Sequence, residues 1–335
     1  MTGKAAVEWK SMLGMSIAGF LHGERDMSLP SPKGGPRAVV IWNAGAGSTS
    51  QADEIRETLL QKRDIQLVET GSREDAIREV EQACRSGMER VIAAGGDGTV
   101  NAVVTALTNW QEKHGWSPAL AVLPLGTGND LARSLGMPLV PAEALELCLS
   151  GDPSPMDVMQ LETDDGDVRL AGNMVTAGNT GKYLEALTDD LKQRWGALVY
   201  VRGAVDLLED LDVFRIRLGI DDEPAIEVEA LNLFFANGRT SGGGMTVCAD
   251  AALNDGKLML LIIREGTGLD LASLTLDYLT SDVRENDLVF HRRCQRVRVT
   301  CSEWIPLTAD GDPVKSRQFT VTLRPGAIRA VMVGT

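Results

Sequence analysis

Three glycine-rich segments carry the residue types that could handle a phosphate group. The most complete is Gly95, Gly96, Asp97, Gly98 and Thr99, preceded by the apolar run Arg90 to Ala94 and followed by a helical pattern over Val100 to Trp110. Glycines lack a Cβ, so main-chain N–H groups can approach a ligand closely. The start of a following helix adds a positive end that suits an anion. Asp97 is a poor direct partner for phosphate, because like charges repel, and suits a Mg2+ ion or a nucleotide hydroxyl. A competing reading makes Asp97 and Thr99 caps of the next helix. Gly126, Thr127, Gly128, Asn129 and Asp130 are less specific, since Asn129 and Asp130 are themselves good helix caps. Asn43 to Gly47 lacks the Gly-Lys-Ser/Thr ending of a P-loop, and a plain turn explains it equally well. Asp310-Gly-Asp312 and the turn at Asp255 read as β-turns on spacing alone. Gly242 to Gly244 reads as a loop or a strand bulge. The histidines, His22, His114 and His291, are scattered, which argues against a histidine-based site.

The elements that must position these residues follow a regular order in the first half. Short apolar strands are expected at Ala38–Trp42, Ile65–Glu69, Arg90–Ala94 and Ala119–Pro124, with helices at Gln51–Lys62, from Ser72 to Gly87, and at Val100–Trp110. Ser72 with Asp75 three residues later marks a helix start. A short helix after Asp130 is stopped by Gly136 and Pro138. Four β-α repeats imply a parallel sheet with helices on both faces, whose ligands bind beyond the carboxyl ends of the strands. The second half is mostly strands: Met156–Leu161, Asp167–Met174, Val213–Ile220, Ile226–Phe235, Lys257–Ile263, Gln295–Cys301 and Phe319–Leu323. Helical patterns are confined to about Leu184–Leu211 and Leu269–Leu279. This texture predicts an antiparallel β-sandwich domain. The expected boundaries are an N-terminal extension and linker over 1–36, an α/β domain over 37–153, and the β-sandwich over 154–335, with a return of the last strand to the first domain allowed for.

Composition narrows the function. The chain has 335 residues and a net charge of −14, which argues against a nucleic-acid binder. Its 44% hydrophobic and 24% charged content fits a globular protein with an ordinary core. Five cysteines without a C-x-x-C pair read as reduced thiols in a cytosolic protein. No apolar run reaches the ~18–20 residues that cross a bilayer. Trp9, Leu13, Ile17 and Phe20 recur at helical spacing, so the N-terminal extension is read as a helix packed on the domain, a frayed extension or an interfacial membrane helix.

The segments GGDGTVNAVV (from Gly95) and PLGTGNDLARSLG (from Pro124), with GGGM (from Gly242), ALNDGKL (from Ala252) and ADGDP (from Ala309), occur in the order seen in diacylglycerol and sphingosine kinases. From about Arg37 to the end, the chain resembles the catalytic region of that superfamily, in its bacterial lipid-kinase form. The resemblance implies an α/β nucleotide-binding domain followed by a β-sandwich, with ATP in the cleft between them. It implies nucleotide contacts at Asn43, Gly45, Gly47, Thr70, Gly95, Gly96, Asp97, Gly98, Thr99, Asn101 and Thr127. Asp310 falls where the family has its catalytic base, and Asp97 is grouped with it as a catalytic carboxylate. The Asp255 side chain and the carbonyls of Ala252 and Lys257 fall where bacterial members hold a structural Mg2+. Asp157 falls near an acid of the inter-domain network. Two positions depart from the family: Ala44 replaces its proline, and Asp312 replaces a glutamate.

The expected reaction is transfer of the ATP γ-phosphoryl group to a lipid hydroxyl, with diacylglycerol-like lipids foremost. The alternatives are a soluble-substrate kinase of the NAD kinase type and a silent nucleotide- or lipid-binding regulator. The expected partners are a lipid alcohol and an anionic membrane surface, without nucleic acid, and a homodimer is left open. The expected setting is the cytoplasm with peripheral membrane association. Lys182 to Arg202, with Lys192, Arg194 and Trp195, is read either as a membrane-contacting helix or as a helix packed on the sandwich. Charge is unevenly spread: Val205–Ala230 holds nine acids against two arginines, and Arg284–Arg329 nine basic residues against five acids. A basic side facing lipid and an acidic side facing water follow from that.

Overall fold

The computed structural model describes residues 37–43, 45, 50–179, 211–266, 270 and 286–334. The N-terminal extension, Gly47, the Lys182–Arg202 segment and the helical pattern at Leu269–Leu279 lie outside them.

The first half alternates strand and helix. In order these are β1 (Ala38–Asn43), α1 (Ser50–Leu60), β2 (Ile65–Thr70), α2 (Arg73–Arg85), β3 (Arg90–Gly95), α3 (Asp97–His114), β4 (Ala119–Pro124), α4 (Asp130–Ser134) and α5 (Pro141–Ser150). The strands pair parallel in the order β2-β1-β3-β4. All six residues of β4 and the first five of β1 are buried, as expected of strands covered on both faces. Strand order reverses direction between β1 and β3, which places the crevice for a ligand at the carboxyl ends of those two strands. Asn43 and Gly95 stand at those ends.

Local signals act as their chemistry dictates at several points. The Ser72 side chain accepts the Asp75 N–H and caps α2, and Gly87, at φ 70°, closes it. Helix α3 differs from expectation. It begins at Asp97, capped by the Gly96 backbone without a side-chain hydrogen bond, so neither Asp97 nor Thr99 serves as its cap. Helix α5 was not anticipated. Its Ala144, Leu145 and Cys148 pack into the first core, and Pro141 occupies its first turn.

The second half is antiparallel. Its strands are β5 (Pro153–Thr163), β6 (Val168–Ala171), β7 (Met174–Gly178), β8 (Phe214–Ile220), β9 (Ile226–Ala236), β10 (Thr240–Ser241), β11 (Met245–Thr246), β12 (Leu258–Arg264), β13 (Val289–Cys294), β14 (Arg296–Ala309) and β15 (Asp312–Val331). The long strands β9 and β14 pair with β8 along their first halves and with β7 along their second halves. These four strands wrap one apolar core that includes Ile216, Leu233, Phe235, Val299 and Leu307. The single strand expected over Asp167–Met174 is two strands, broken at Gly172 and Asn173. The break has a cause: the main-chain N–H groups there turn out of the ladder to reach Asp310.

Strands β5 and β15 run through both halves as one long pair, and Ala330 of β15 also pairs parallel with Leu120 of β4. Among the described residues, thirteen strands thereby join one continuous sheet. The register shifts between Arg324 and Ile328, where Gly326 takes φ 58°. On one side of that irregularity Met156, Ile328 and Ala330 belong to the first core; on the other, Met159, Val321 and Leu323 belong to the second. Asp157, 2% exposed, pins the crossing by accepting the N–H groups of Gly326 (2.7 Å) and Gly256 (2.8 Å). No helix among the described residues is long and apolar enough to cross a membrane. All five cysteines are buried, and burial pushes the thiols of Cys84, Cys148 and Cys294 up to about 12, which favours their protonated form.

Candidate active site

The glycines of the two main turns serve close packing first. A Cβ on Gly126 would lie 2.4 Å from Gly96 Cα, one on Gly95 2.5 Å from Thr99 Oγ1, and one on Gly128 2.4 Å from Asp97 Oδ2. The turns after β3 and β4 therefore touch backbone to backbone, which only glycine permits. Asp97 locks them together. Its Oδ2 accepts the Asn129 N–H (2.9 Å) and its Oδ1 the Asp130 N–H (2.8 Å), at the start of α4. Burial pushes the Asp97 carboxyl up, the charge of Asp130 adds to that, and the amide donors pull it back.

Asp130 carries the latch further. Its two oxygens accept the N–H groups of Gly243 (3.0 Å) and Gly244 (2.8 Å). Gly242, Gly243 and Gly244 have φ of 64°, 87° and 100°, a left-handed run that explains three glycines in succession. The loop is thus fastened over α4.

Two clefts flank the first turn of α3. The first, about 300 Å³, is lined by Asn43, Thr70, Arg73, Gly96, Gly98 and Thr99, among others. Asn43 Nδ2 donates to Thr99 Oγ1 (3.0 Å), and Asn43 Oδ1 accepts the Gly45 N–H (2.9 Å), so the ends of β1 and β3 are tied. Thr70 Oγ1 donates to the Trp42 carbonyl. No Cβ neighbour would lie within 4 Å of Gly98, which opens that part of the α3 N-terminus. The second cleft, about 350 Å³, is lined by Asp97, Val100, Thr127, Leu131, Met174 and Asp310, with Gly242 and Gly243 at its edge. Of the residues expected to contact a nucleotide, Asn43, Thr70, Gly96, Gly98 and Thr99 share the first cleft, whereas Asp97, Thr127 and Asn101 line the second.

Asp310 lies in the turn between β14 and β15 at φ 47°, with its carboxylate in a cradle of donors. Oδ2 accepts from the Gly172 N–H (2.7 Å) and Asn101 Nδ2 (3.0 Å); Oδ1 accepts from the N–H groups of Met174 (2.8 Å) and Asn173 (3.1 Å). Burial pushes the Asp310 carboxyl up, against these four donors, which favour the charged form. Asn101 is 2% exposed and also donates to the Leu170 carbonyl, while its Oδ1 accepts from Arg73. Its Nδ2 and Oδ1 are thus both engaged by protein partners, Asp310 among them. Arg73 also pairs with Asp312 at 3.1 Å. A chain from Asp312 through Arg73 and Asn101 to Asp310 links the first cleft to the second. The sequence reading missed Arg73 and the Gly172–Met174 amides. Arg73 sits just after the cap residue Ser72, a position that reads only as a helix start.

Of the residues expected to hold a structural Mg2+, the Asp255 side chain is engaged within the protein. Asp255 Oδ1 accepts the Lys257 N–H (2.9 Å), and Oδ2 forms an ion pair with Arg293. A guanidinium thus stands where the carboxylate would face a cation. Among the described residues no three His, Cys, Asp or Glu side chains gather as a metal site.

Residues 37–161 match the model of the diacylglycerol kinase catalytic domain, and residues 173–332 that of the YegS C-terminal NAD kinase beta sandwich-like domain. The protein named "Probable lipid kinase YegS-like" from Serratia proteamaculans is 31% identical over 297 residues, covering 88% of this chain and 92% of its own. "Probable lipid kinase YegS" from Salmonella heidelberg is 32% identical over 298 residues, covering 88% and 95%. The crystal structure of a diacylglycerol kinase from Bacillus anthracis aligns with 88% of this chain and 96% of its own at a TM-score of 0.67; at 22% identity this is a likeness of fold. Domain order and fold define a two-part architecture with a catalytic α/β half and a β-rich half. The chain belongs to the diacylglycerol kinase catalytic-domain family, together with the YegS-like proteins.

Proposed function

We propose that the chain transfers the γ-phosphoryl group of ATP to the hydroxyl of a lipid alcohol, with diacylglycerol-like lipids foremost. The observation that carries this reading is the pair of clefts on either side of the α3 N-terminus, one polar and glycine-lined, the other partly apolar and holding Asp310. In this reading the triphosphate lies in the first cleft, where the open backbone at Gly98 and the helix dipole favour negative charge. The lipid hydroxyl enters the second cleft between Val100, Leu131 and Met174. Asp310 orients that hydroxyl and accepts its proton on a carboxylate oxygen. Its four donors fix its direction, and burial raises its basicity. Phosphoryl transfer needs mostly positioning and charge stabilisation, so a rigid carboxylate suffices as base.

Mg2+ arriving with the nucleotide supplies neutralisation of phosphate charge. Asp97 then acts as the brace between the two turns, since both of its oxygens already hold main-chain amides. The enzyme works as a peripheral cytoplasmic protein at a bilayer surface.

Labelled ATP with Mg2+ is offered with a panel of lipid alcohols and with NAD. A labelled phospholipid is the expected product. Label only in NADP, or in no product, overturns the proposal.

A further inference from the structure

Among the described residues, Trp304 is the one aromatic of the large apolar side chains left exposed, at 51%. It lies in the β14–β15 hairpin, with Lys315 Nζ 5.6 Å and Arg317 Cζ 5.3 Å from its ring centroid. A bare indole held between two cations is costly to present to water and well matched to a bilayer interface. There the ring sits at headgroup depth and the cations meet anionic lipid.

Its place in the hairpin connects it to the second cleft. Ile305, Leu307 and Ala309 of β14 point into the core, so Trp304, Pro306 and Thr308 lie on the opposite face. Pro306 pairs with Lys315 and Thr308 with Pro313, which puts the cations on that same face. Thr308 itself lines the second cleft and bonds Thr176 at 2.8 Å. Four residues of strand separate Trp304 from Thr308, about 13 Å.

We propose that this hairpin face, with Trp304 between Lys315 and Arg317, is the surface that docks on an anionic bilayer and holds the second cleft at the lipid interface. The proposal rests on the lipid-kinase reading above and assigns the membrane partner to one surface. Each cation near an anionic surface contributes about fivefold to partitioning, and burying half of an indole about tenfold.

The full chain is sedimented with vesicles of equimolar phosphatidylglycerol and phosphatidylcholine, and with phosphatidylcholine alone. Trp304→Ala and the double variant Lys315→Gln, Arg317→Gln are run beside it. Phosphorylation is measured on vesicle-embedded diacylglycerol and on a short-chain diacylglycerol dissolved as monomer. The wild type should bind the anionic vesicles, Trp304→Ala about tenfold less, and the double variant about 25-fold less. Vesicle turnover should fall by the same factors, with monomer turnover unchanged. Wild-type binding by both variants overturns the proposal. So does a variant that binds vesicles normally but loses a self-associated state in size-exclusion chromatography, which would make the face a contact with a second copy. Binding lost in the variants while the wild type phosphorylates neither lipid upholds the docking surface and overturns the proposed activity.

Discussion

Replacing Asp310 with asparagine tests whether its carboxylate is a structural keystone as well as a base. Each oxygen holds two donors, Gly172 and Asn101 on one and Met174 and Asn173 on the other, at 2.7 to 3.1 Å. Asparagine keeps one acceptor oxygen and turns an NH2 toward the other pair, so two hydrogen bonds are lost whichever way the amide is placed. Hydrogen bonds to a charged group contribute about 1.5–3 kcal/mol each, and two stranded donors add to the loss. Against this, removing a carboxylate whose ionisation burial opposes returns part of the cost. The net is a loss of about 2–4 kcal/mol, or a fall in Tm of roughly 3–6 °C for a chain of this size. Turnover should fall by about 10²–10⁴, the range of a lost general base. Differential scanning calorimetry, ATP titration and lipid turnover on the same preparation separate the two effects. Since Asp310 lines the second cleft and not the first, ATP affinity should change little below the melting transition. A variant that melts with the wild type refutes the cradle, and one that turns over with the wild type removes Asp310 from proton transfer.

Gly128→Ala would set a Cβ 2.4 Å from Asp97 Oδ2 and displace the brace; isothermal titration should show ATP affinity lowered by about tenfold, through about 1.4 kcal/mol of lost positioning. Arg73→Gln breaks the link from Asp312 to Asn101; KM for ATP should rise several-fold, and an unchanged KM and kcat would remove Arg73 from the site. Burial raises the Asp157 carboxyl, so the folded chain keeps that proton to a higher pH than the unfolded chain does. Its contribution is therefore fully present below the ordinary value of about 3.9 and is lost as pH rises through the folded value. Urea unfolding should accordingly show the wild type losing stability relative to Asp157→Asn as pH rises above the ordinary carboxylate range of about 3.9, and the opposite slope would refute the assignment. Arg293→Ala frees Asp255 Oδ2 from its ion pair; its Tm should become sensitive to Mg2+ or Ca2+, whereas the wild type should melt alike in divalent cation and in chelator.

The first half was legible because its signals are local. Apolar strands covered on both faces, the Ser72 cap and the Gly87 stop each act within one turn of the chain, and they fall where expected. The glycine turns were legible as well. Gly98 fits an opening toward a ligand, whereas Gly95, Gly126 and Gly128 are glycine because a side chain or backbone lies where their Cβ would be. The break at Gly172 and Asn173 was not legible, since the flanking residues continue a strand pattern and the group that breaks it, Asp310, lies 138 positions away. Asp310 itself reads as an ordinary turn residue by spacing, and only resemblance set it apart. The Asp255 turn marks the opposite limit: the motif was present, but the neighbour that decides its chemistry, Arg293, comes from another strand.

One physical device explains why acid and glycine recur together in this chain. Among the described residues, five aspartates each receive two or more main-chain N–H groups from positions distant from their own: Asp97 from the start of α4, Asp130 from Gly243 and Gly244, Asp157 from Gly256 and Gly326, Asp221 from Gln295 and Arg296, and Asp310 from Gly172 to Met174. A carboxylate accepts several donors at once, and a glycine-containing turn can aim successive N–H groups at one point. Each such pair ties two elements without needing a basic side chain, which suits a protein of net charge −14. The ties also run in series. Asp97 holds α4, Asp130 at the start of α4 holds the glycine loop, and Asp310 holds the break before β7, so all three walls of the second cleft are set by carboxylates. It follows that loosening one tie should be felt along the series: a Cβ at Gly128 would press on Asp97 Oδ2 at 2.4 Å and only graze Asp130 Oδ2 at 3.8 Å, yet it should also raise amide hydrogen exchange at Gly243 and Gly244. Exchange unchanged at those two amides would mean that the ties act independently.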